Sequence, residues 1–118
     1  MESVPLPVGF SAGAVQCGVK PGTSRLDLAV FVSDRPCAAA GVFTTNLVCG
    51  APVKVSRERL PRGTARALVI NAGNANACTG EQGIADATAM TAALAAAIGC
   101  PANDALVAST GVIGRFLP

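Results

Sequence analysis

The sequence predicts a mixed α/β domain, and three observations support that fold class. Short stretches in the first half alternate apolar and polar residues and are separated by turn residues, which predicts a meandering, mostly antiparallel sheet. Two apolar runs, at 66–71 and 105–110, are typical of buried strands. An alanine-rich segment between those runs has helical spacing. The length of 118 residues suits one domain with a modest core.

The first half of the chain is expected to form the meander. Residues 9–20 alternate loosely and lead into a Pro-Gly turn. Residues 25–34 place alternating aliphatic side chains on one face, which is the clearest strand pattern in the sequence. A third strand is expected at 37–46, and a fourth begins in 51–58.

The helix is predicted at 81–98. Thr79 is a candidate N-cap, with Gln82 three residues later in a capping box. Gly99 and Pro101 supply the stop signal. One apolar stripe runs along the segment, which predicts close packing on a sheet; its members are Ile84, Ala87, Thr91, Leu94 and Ile98.

The composition indicates a chain that is covered by other protein surface. Hydrophobic residues make up 51% of it and charged residues only 14%, whereas soluble domains carry about 25% charged residues. We therefore expect a portion of a longer protein or a buried part of an assembly. A net charge of +2 and an aromatic content of 3%, without Trp or Tyr, argue against nucleic-acid binding. Arg57 and Arg59 are expected to face solvent.

The sequence predicts that the protein is not exported from the cell. The first ten residues, MESVPLPVGF, lack the basic segment and apolar core of a signal peptide. The most apolar stretch, 92–99, is too short to span a bilayer. The five cysteines show no metal-ligand spacing and are expected to be buried free thiols. These features favour the cytoplasm, or the mitochondrial matrix in a eukaryote, without a membrane or metal partner.

The absence of histidine limits the chemistry that this chain can perform. A Ser-His-Asp or Cys-His site cannot be built from it alone. If the protein is an enzyme, its general base must come from elsewhere. The α-amine of a nucleophile at a chain N-terminus is one such base.

Two motifs in the second half are candidates for a catalytic site. The strand at 105–110 runs into Thr110 and Gly111, where a sharp turn could aim two neighbouring N–H groups at one point, as in an oxyanion hole. Before the helix, Asn71, Asn74 and Asn76 are expected to brace a loop against that turn through side-chain to backbone hydrogen bonds. A Ser-Thr-Gly sequence alone is usually only a turn.

Four stretches, two of which contain these candidate motifs, carry a family resemblance. The motifs are VFTTN (42–46), APV (51–53), NAGNANACTG (71–80) and ASTGVIGRFLP (108–118). Together with GFSAGAVQCGVK near the start, they resemble the ornithine acetyltransferase family, the bifunctional glutamate N-acetyltransferases of arginine biosynthesis. The resemblance covers nearly the whole chain.

The resemblance implies a fold and a reaction. Family members are precursors that cleave themselves before a threonine, and the two pieces form a layered α-β-β-α sandwich. The threonine accepts acetyl from N-acetylornithine and passes it to glutamate. Thr110 and Gly111 match the oxyanion-hole residues. The resemblance also implies a second subunit from the same precursor, a heterotetramer or higher, and no cofactor, with acetyl-CoA as a possible substrate.

The resemblance also sets what this chain should lack. The self-cleavage sequence and the nucleophilic threonine are expected beyond Pro118, so 1–118 would be an incomplete N-terminal portion that is inactive alone. Two alternatives remain: an aminopeptidase that shares the self-cleaving architecture, or a non-enzymatic module that binds a small anion at the start of the helix. Glu81 and the lack of a phosphate-loop signature disfavour the anion module.

Overall fold

Four strands form one sheet in the computed structural model, which describes residues 5–118. They lie side by side in chain order and are β1 (Phe10–Val15), β2 (Leu28–Ala38), β3 (Thr64–Asn74) and β4 (Ala105–Val112). β2 runs antiparallel to both of its neighbours, β1 and β3, whereas β4 lies parallel to β3. The mixed α/β class and the antiparallel meander of the first three strands are confirmed.

Two helices complete the fold. Helix α1 is Ala51–Arg59 and helix α2 is Gly80–Ile98, with 3-10 turns at Leu60–Arg62 and Ala102–Asp104. Helix α2 connects β3 to β4, and such a crossover is what a parallel pair of strands requires. The expected segment 81–98 agrees with α2.

The strand predicted in 51–58 is wrong, because this segment is α1. Pro52 sits in the first turn of the helix, where its missing N–H costs nothing. The buried residues Ala51, Val55 and Arg59 are spaced four apart, so one helical face turns to the sheet. Ser56 on that face donates a hydrogen bond to Val107 O at 2.8 Å and accepts one from Val107 N at 3.1 Å. These two bonds cover the edge of β4.

Two other strand predictions had wrong bounds. β1 ends at Val15 because the N–H groups that follow bind the Asp27 carboxylate instead of a neighbouring strand. β2 has an irregular register between Val32 and Cys37 and ends at Ala38. The separate third strand expected at 37–46 is wrong, because residues 37–38 belong to β2 and residues 39–46 form no strand. Pro36 has no N–H to give to a ladder, and it lies within that irregular stretch.

The ends of α2 are only partly as expected. Gly99 closes the helix in a left-handed conformation at φ 71°, which is the predicted stop. The capping box is wrong: Thr79 makes no side-chain cap bond, because its hydroxyl donates to Asn76 Oδ1, and Gln82 bonds Asp86 instead.

The core lies between the sheet and the two helices. The predicted stripe of α2 contributes to it, with Ala87, Thr91 and Leu94 buried. The other buried apolar members come from α1, β3, β4 and the last turns of α2: Ala51, Val55, Ala67, Val69, Ala105, Val107 and Ala95. The opposite face of the sheet is also apolar but only partly covered in residues 5–118, and Phe31 on that face is 39% exposed.

The five cysteines are all free, but the expectation that they are buried is wrong. Cys17 and Cys78 are exposed, and Cys37, Cys49 and Cys100 are half-buried. All five lie in loops or near the ends of helices and strands, and Cys100 packs against the edge of the core.

Candidate active site

The two candidate motifs meet at the carboxyl ends of β3 and β4. The parallel register places Asn71 beside Ser109 and Gly73 beside Gly111. At Asn74 the register becomes irregular, since this residue pairs with both Thr110 and Val112. The NAGNANACTG and STG motifs are therefore neighbours in space.

Gly73 and Gly111 lie so close to neighbouring atoms that neither leaves room for a side chain. Gly111 has φ +135°, and a Cβ on it would collide with the Gly73 carbonyl carbon and lie 2.5 Å from Asn74 N. Gly73 has φ +117°, and a Cβ on it would lie 2.6 Å from Lys20 Cγ. Residues at these conformations are normally glycine. Three segments of backbone thus stack where a side chain would not fit.

The turn expected at Thr110 and Gly111 is wrong in detail. β4 continues through both residues to Val112, and the bend follows at 113–114. Gly73 and Gly111 face each other without side chains, so the two strands can stay close at this point. Beyond them, Ala75 N donates a hydrogen bond to Val112 O at 2.9 Å. Thr110 and Gly111 both lie exposed on the edge of the sheet.

Asn74 ties this edge to the end of the chain. Its side chain is 2% exposed, and its Nδ2 donates to Arg115 O and Phe116 O, both at 2.9 Å. Its Oδ1 accepts from Asn76 N at 2.7 Å. The residues after β4 are therefore held against the end of β3.

Asn76 ties the same loop to α2. It has no exposed surface, and its Nδ2 donates to Gly83 O at 2.8 Å while its Oδ1 accepts from the Thr79 hydroxyl at 2.7 Å. Its φ of 48° is left-handed, a conformation that asparagine adopts more readily than most residues. Backbone and side chain of Asn76 thus both fix the entry to α2.

Asn71 is the third fully buried amide. Its Nδ2 donates to Asn74 O at 2.8 Å, whereas its Oδ1 has no hydrogen-bond partner in the described part of the chain. The Ser109 hydroxyl, its register neighbour on β4, is likewise unpartnered within residues 5–118. Asn71 Oδ1 and the Ser109 hydroxyl can therefore each form a further hydrogen bond, and Ser109 directly precedes Thr110 in the sequence.

Asp27 is a contributor to this region that the sequence did not reveal. Its carboxylate is 2% exposed and accepts hydrogen bonds from Cys17 N, Lys20 N and Gly18 N at 2.7, 2.9 and 3.1 Å. These bonds, with that from Cys17 first, lower the pKa of Asp27 to about 2. The loop they hold is the one that contacts Gly73 through Lys20. A lone aspartate within an alternating apolar strand was the available signal.

An apolar cavity of about 340 Å³ lies beside the same edge. Pro52 and Ser56 of α1 line one side of it, and Val107 and Ser109 of β4 line the other. No helix in residues 5–118 combines the length and hydropathy of a bilayer span. Within that range, His, Cys, Asp and Glu side chains do not gather in threes where a metal ion could bind.

The comparison with protein-family models decides the family. Residues 11–118 match the model described as the ArgJ family. The chain belongs to the ArgJ family. An arginine biosynthesis bifunctional protein ArgJ from Dehalococcoides mccartyi (strain CBDB1) is 50% identical over 117 residues, which are 98% of this chain. A mitochondrial ArgJ protein from Fusarium vanettenii is 53% identical over 95% of this chain.

Solved ArgJ structures share the fold. ArgJ from Bacillus halodurans matches with a TM-score of 0.88 and 44% identity, over 94% of this chain and 58% of that one. Ornithine acetyltransferase from Mycobacterium tuberculosis, solved in complex with ornithine, matches with a TM-score of 0.90 and 45% identity, over 95% of this chain and 61% of that one. The chain spans 29% of the length of the Dehalococcoides relative and 26% of the Fusarium relative.

Proposed function

We propose that the protein containing this chain transfers an acetyl group from N-acetylornithine to glutamate, and that this chain supplies the oxyanion hole. The backbone N–H groups of Thr110 and Gly111 are the proposed donors. The observation that carries the proposal is the contact between Gly73 and Gly111, in a chain that belongs to the ArgJ family. That contact fixes the backbone, and donors fixed before the reaction stabilise a developing charge best.

The surrounding hydrogen bonds support a fixed site. Asn71 and Asn74 hold the end of β3, and Asn76 holds the loop to α2. We propose that this bracing keeps Thr110 and Gly111 in place when the acetyl carbonyl is attacked. The solved relative in complex with ornithine is consistent with ornithine as the leaving group.

The proposed reaction has two acyl transfers. A threonine hydroxyl from outside this chain attacks the acetyl carbonyl of N-acetylornithine, and the carbonyl oxygen gains a negative charge that the two N–H groups stabilise. The C–N bond then breaks, the amine takes a proton, and ornithine leaves. The amine of glutamate attacks the acetyl-threonine ester through a second tetrahedral intermediate, which releases N-acetylglutamate and restores the hydroxyl.

The nucleophile and the base would both come from a second subunit of the same precursor. This chain has no histidine, so an α-amine at the subunit's N-terminal threonine is the proposed base. The half-exposed apolar face of the sheet, with Phe31, Leu68 and Leu106, is where the second sheet of the α-β-β-α sandwich is proposed to pack. We infer a heterotetramer or higher, with 1–118 inactive alone.

The remaining properties follow the same proposal. No cofactor is required, because each step exchanges an acyl group between amine and hydroxyl. Acetyl-CoA would act only as an alternative acetyl donor. We place the enzyme in the bacterial cytoplasm or, in a eukaryote, in the mitochondrial matrix, the location that the name of the Fusarium relative carries.

The test is Gly111→Ala in the full-length protein. The added Cβ collides with Gly73 and displaces the Gly111 N–H. We expect kcat for ornithine release to fall by about a hundredfold or more, since that is the cost of losing one oxyanion donor. Ornithine binding, measured by calorimetry, should change little.

Two variants serve as controls. Gly13→Ala adds a methyl group whose nearest neighbour, Val30 Cγ2, is 3.9 Å away, and should keep the wild-type rate. Thr110→Ala keeps its N–H and should lose only the contribution of the hydroxyl. A Gly111→Ala protein that melts like wild type and also turns over like wild type would refute the assignment.

A further inference from the structure

The segments that precede the two helices run past each other in opposite directions. Ala51 N donates a hydrogen bond to Asn76 O at 3.0 Å. One residue further along, a Cβ on Gly50 would lie 3.5 Å from Ala77 Cβ. Because 51 faces 76 and 50 faces 77, the next facing pair is Cys49 and Cys78.

The side chains of these facing pairs alternate between two sides. Gly50 and Ala77 both line the apolar cavity beside β4. Cys49 and Cys78 both line a different cavity of about 190 Å³, between the first turns of α1 and α2. The two thiols therefore open into one space. Disulfides join residues whose Cβ atoms are about 3.5–4.5 Å apart, and the adjacent pair already has that spacing.

The cavity is open to small molecules. Cys78 is exposed and Cys49 is half-buried. Lys54 is the charged residue among those that line the cavity, and its positive charge suits an anionic reagent such as oxidised glutathione. We propose that Cys49 and Cys78 are a reversible disulfide site, oxidised by exchange with a low-molecular-weight disulfide of this kind.

The exchange balances in two steps. The thiolate of Cys78, the more exposed residue, attacks one sulfur of oxidised glutathione, so that a mixed disulfide forms and one glutathione thiolate leaves. The thiolate of Cys49 then attacks the Cys78 sulfur, which forms the internal S–S bond and releases the second glutathione. Two electrons pass from the cysteine pair to the reagent, and two glutathione thiols are produced.

The other three cysteines are internal controls. Cys17 lies beside Asp27, the Cys37 thiol contacts Ala65 O at 3.2 Å, and Cys100 follows α2. None of these three lines the cavity that Cys49 and Cys78 share. Chymotrypsin separates all five, because Phe or Leu residues lie between every neighbouring pair of cysteines in the sequence.

The experiment treats the full-length protein with oxidised glutathione, blocks free thiols, digests with chymotrypsin and maps the peptides by mass spectrometry. Because chymotrypsin does not cleave before Pro61, we expect one cross-linked pair, the 48–68 and 69–94 peptides, with a loss of two hydrogens that dithiothreitol reverses. In Cys49→Ser, Cys78 should instead retain one glutathione. In Cys17→Ser, the cross-link should form as in wild type.

Two results would overturn the proposal. One is glutathione on both Cys49 and Cys78 without a cross-link between them. The other is a cross-link that appears only when the protein is unfolded in urea, since the folded arrangement is what should bring the thiols together. Because both readouts use the wild-type chain, they do not depend on a variant that folds.

Discussion

Gly73 faces Gly111 across β3 and β4, and the carbonyl carbon of Gly73 lies where a Cβ on residue 111 would project. Lys20 packs on the other side of Gly73. The backbone at the proposed oxyanion hole is thus packed between a neighbouring strand and a loop that Asp27 holds. Its rigidity depends on residues far from Gly111 in sequence.

Gly73→Ala is expected to destabilise the fold and to couple with Lys20. The positive φ alone costs about 1–3 kcal/mol, and the new Cβ would lie 2.6 Å from Lys20 Cγ. Lys20→Ala removes that atom, so the double variant should recover part of the loss. Urea denaturation of both single variants and the double variant measures the coupling. Purely additive changes would contradict the contact.

Asn76→Ala is expected to lower the free energy of unfolding by about 2–4 kcal/mol. It leaves Gly83 O and the Thr79 hydroxyl without their buried partners. Asn103→Ala is the matched control, because Asn103 is exposed and should stay within about 0.5 kcal/mol of wild type. Thermal and urea unfolding measure both. Equal effects of the two variants would show that the Asn76 bonds contribute nothing.

Asp27→Asn is expected to make stability depend less on pH. The folded pKa of about 2 lies below the ordinary value of 3.8, so the carboxylate stabilises the fold fully above that ordinary value and loses its effect as pH falls through about 2. The variant should therefore have a lower urea midpoint than wild type at neutral pH, and the difference should vanish near pH 2.

Asp34→Asn is the control for the pH series. Its hydrogen bond to Arg35 also lowers the pKa of Asp34, but this pair is exposed on the surface. We expect a small difference from wild type at every pH. If the urea midpoint of Asp27→Asn stayed below that of wild type by a constant amount down to pH 2, ionisation of the Asp27 carboxylate would not be the source of the difference in stability.

Helix α2, in the second half of the chain, could be predicted from sequence because its apolar spacing and its stop residues agree. The helix has an apolar stripe and a Gly-Pro stop, and α2 lies where they predict. The asparagines were predicted to brace a loop because three of them alternate with small residues, but β3 continues through Asn71 and Asn74, and only Asn76 lies in the loop. Their hydrogen-bond partners could not be predicted, since Gly83, Arg115 and Phe116 offer only backbone carbonyls, which any residue has.

The strand predicted in 51–58 was wrong because strand-like and helical spacings of apolar residues overlap there. Val53 and Val55 alternate as in a strand, yet Ala51, Val55 and Arg59 also follow helical spacing. Pro52 favours the helix, but the choice depends on β4, which α1 covers and which lies about fifty residues away. The parallel direction of β4 could have been inferred from the helical crossover. The Asp27 bonds could not, because they join two loops.

Arg59→Ala is expected to be more harmful than Arg57→Ala, although the sequence predicts both to face solvent. Arg59 is 9% exposed and donates from Nη1 to Ala102 O at 3.0 Å and to Ala105 O at 2.6 Å. Removing it should cost about 1.5–3 kcal/mol, since hydrogen bonds from a charged donor are lost. Arg57 is exposed, 5.6 Å from the Phe43 ring centre, and its removal should cost less than about 1 kcal/mol.

Urea denaturation of the Arg59→Ala and Arg57→Ala variants side by side measures the difference in stability. Arg59→Lys tests the geometry of the bonds, because one ammonium group replaces the planar guanidinium. An Arg59→Lys protein as stable as wild type would mean that charge alone, not the paired carbonyl bonds, holds the start of β4.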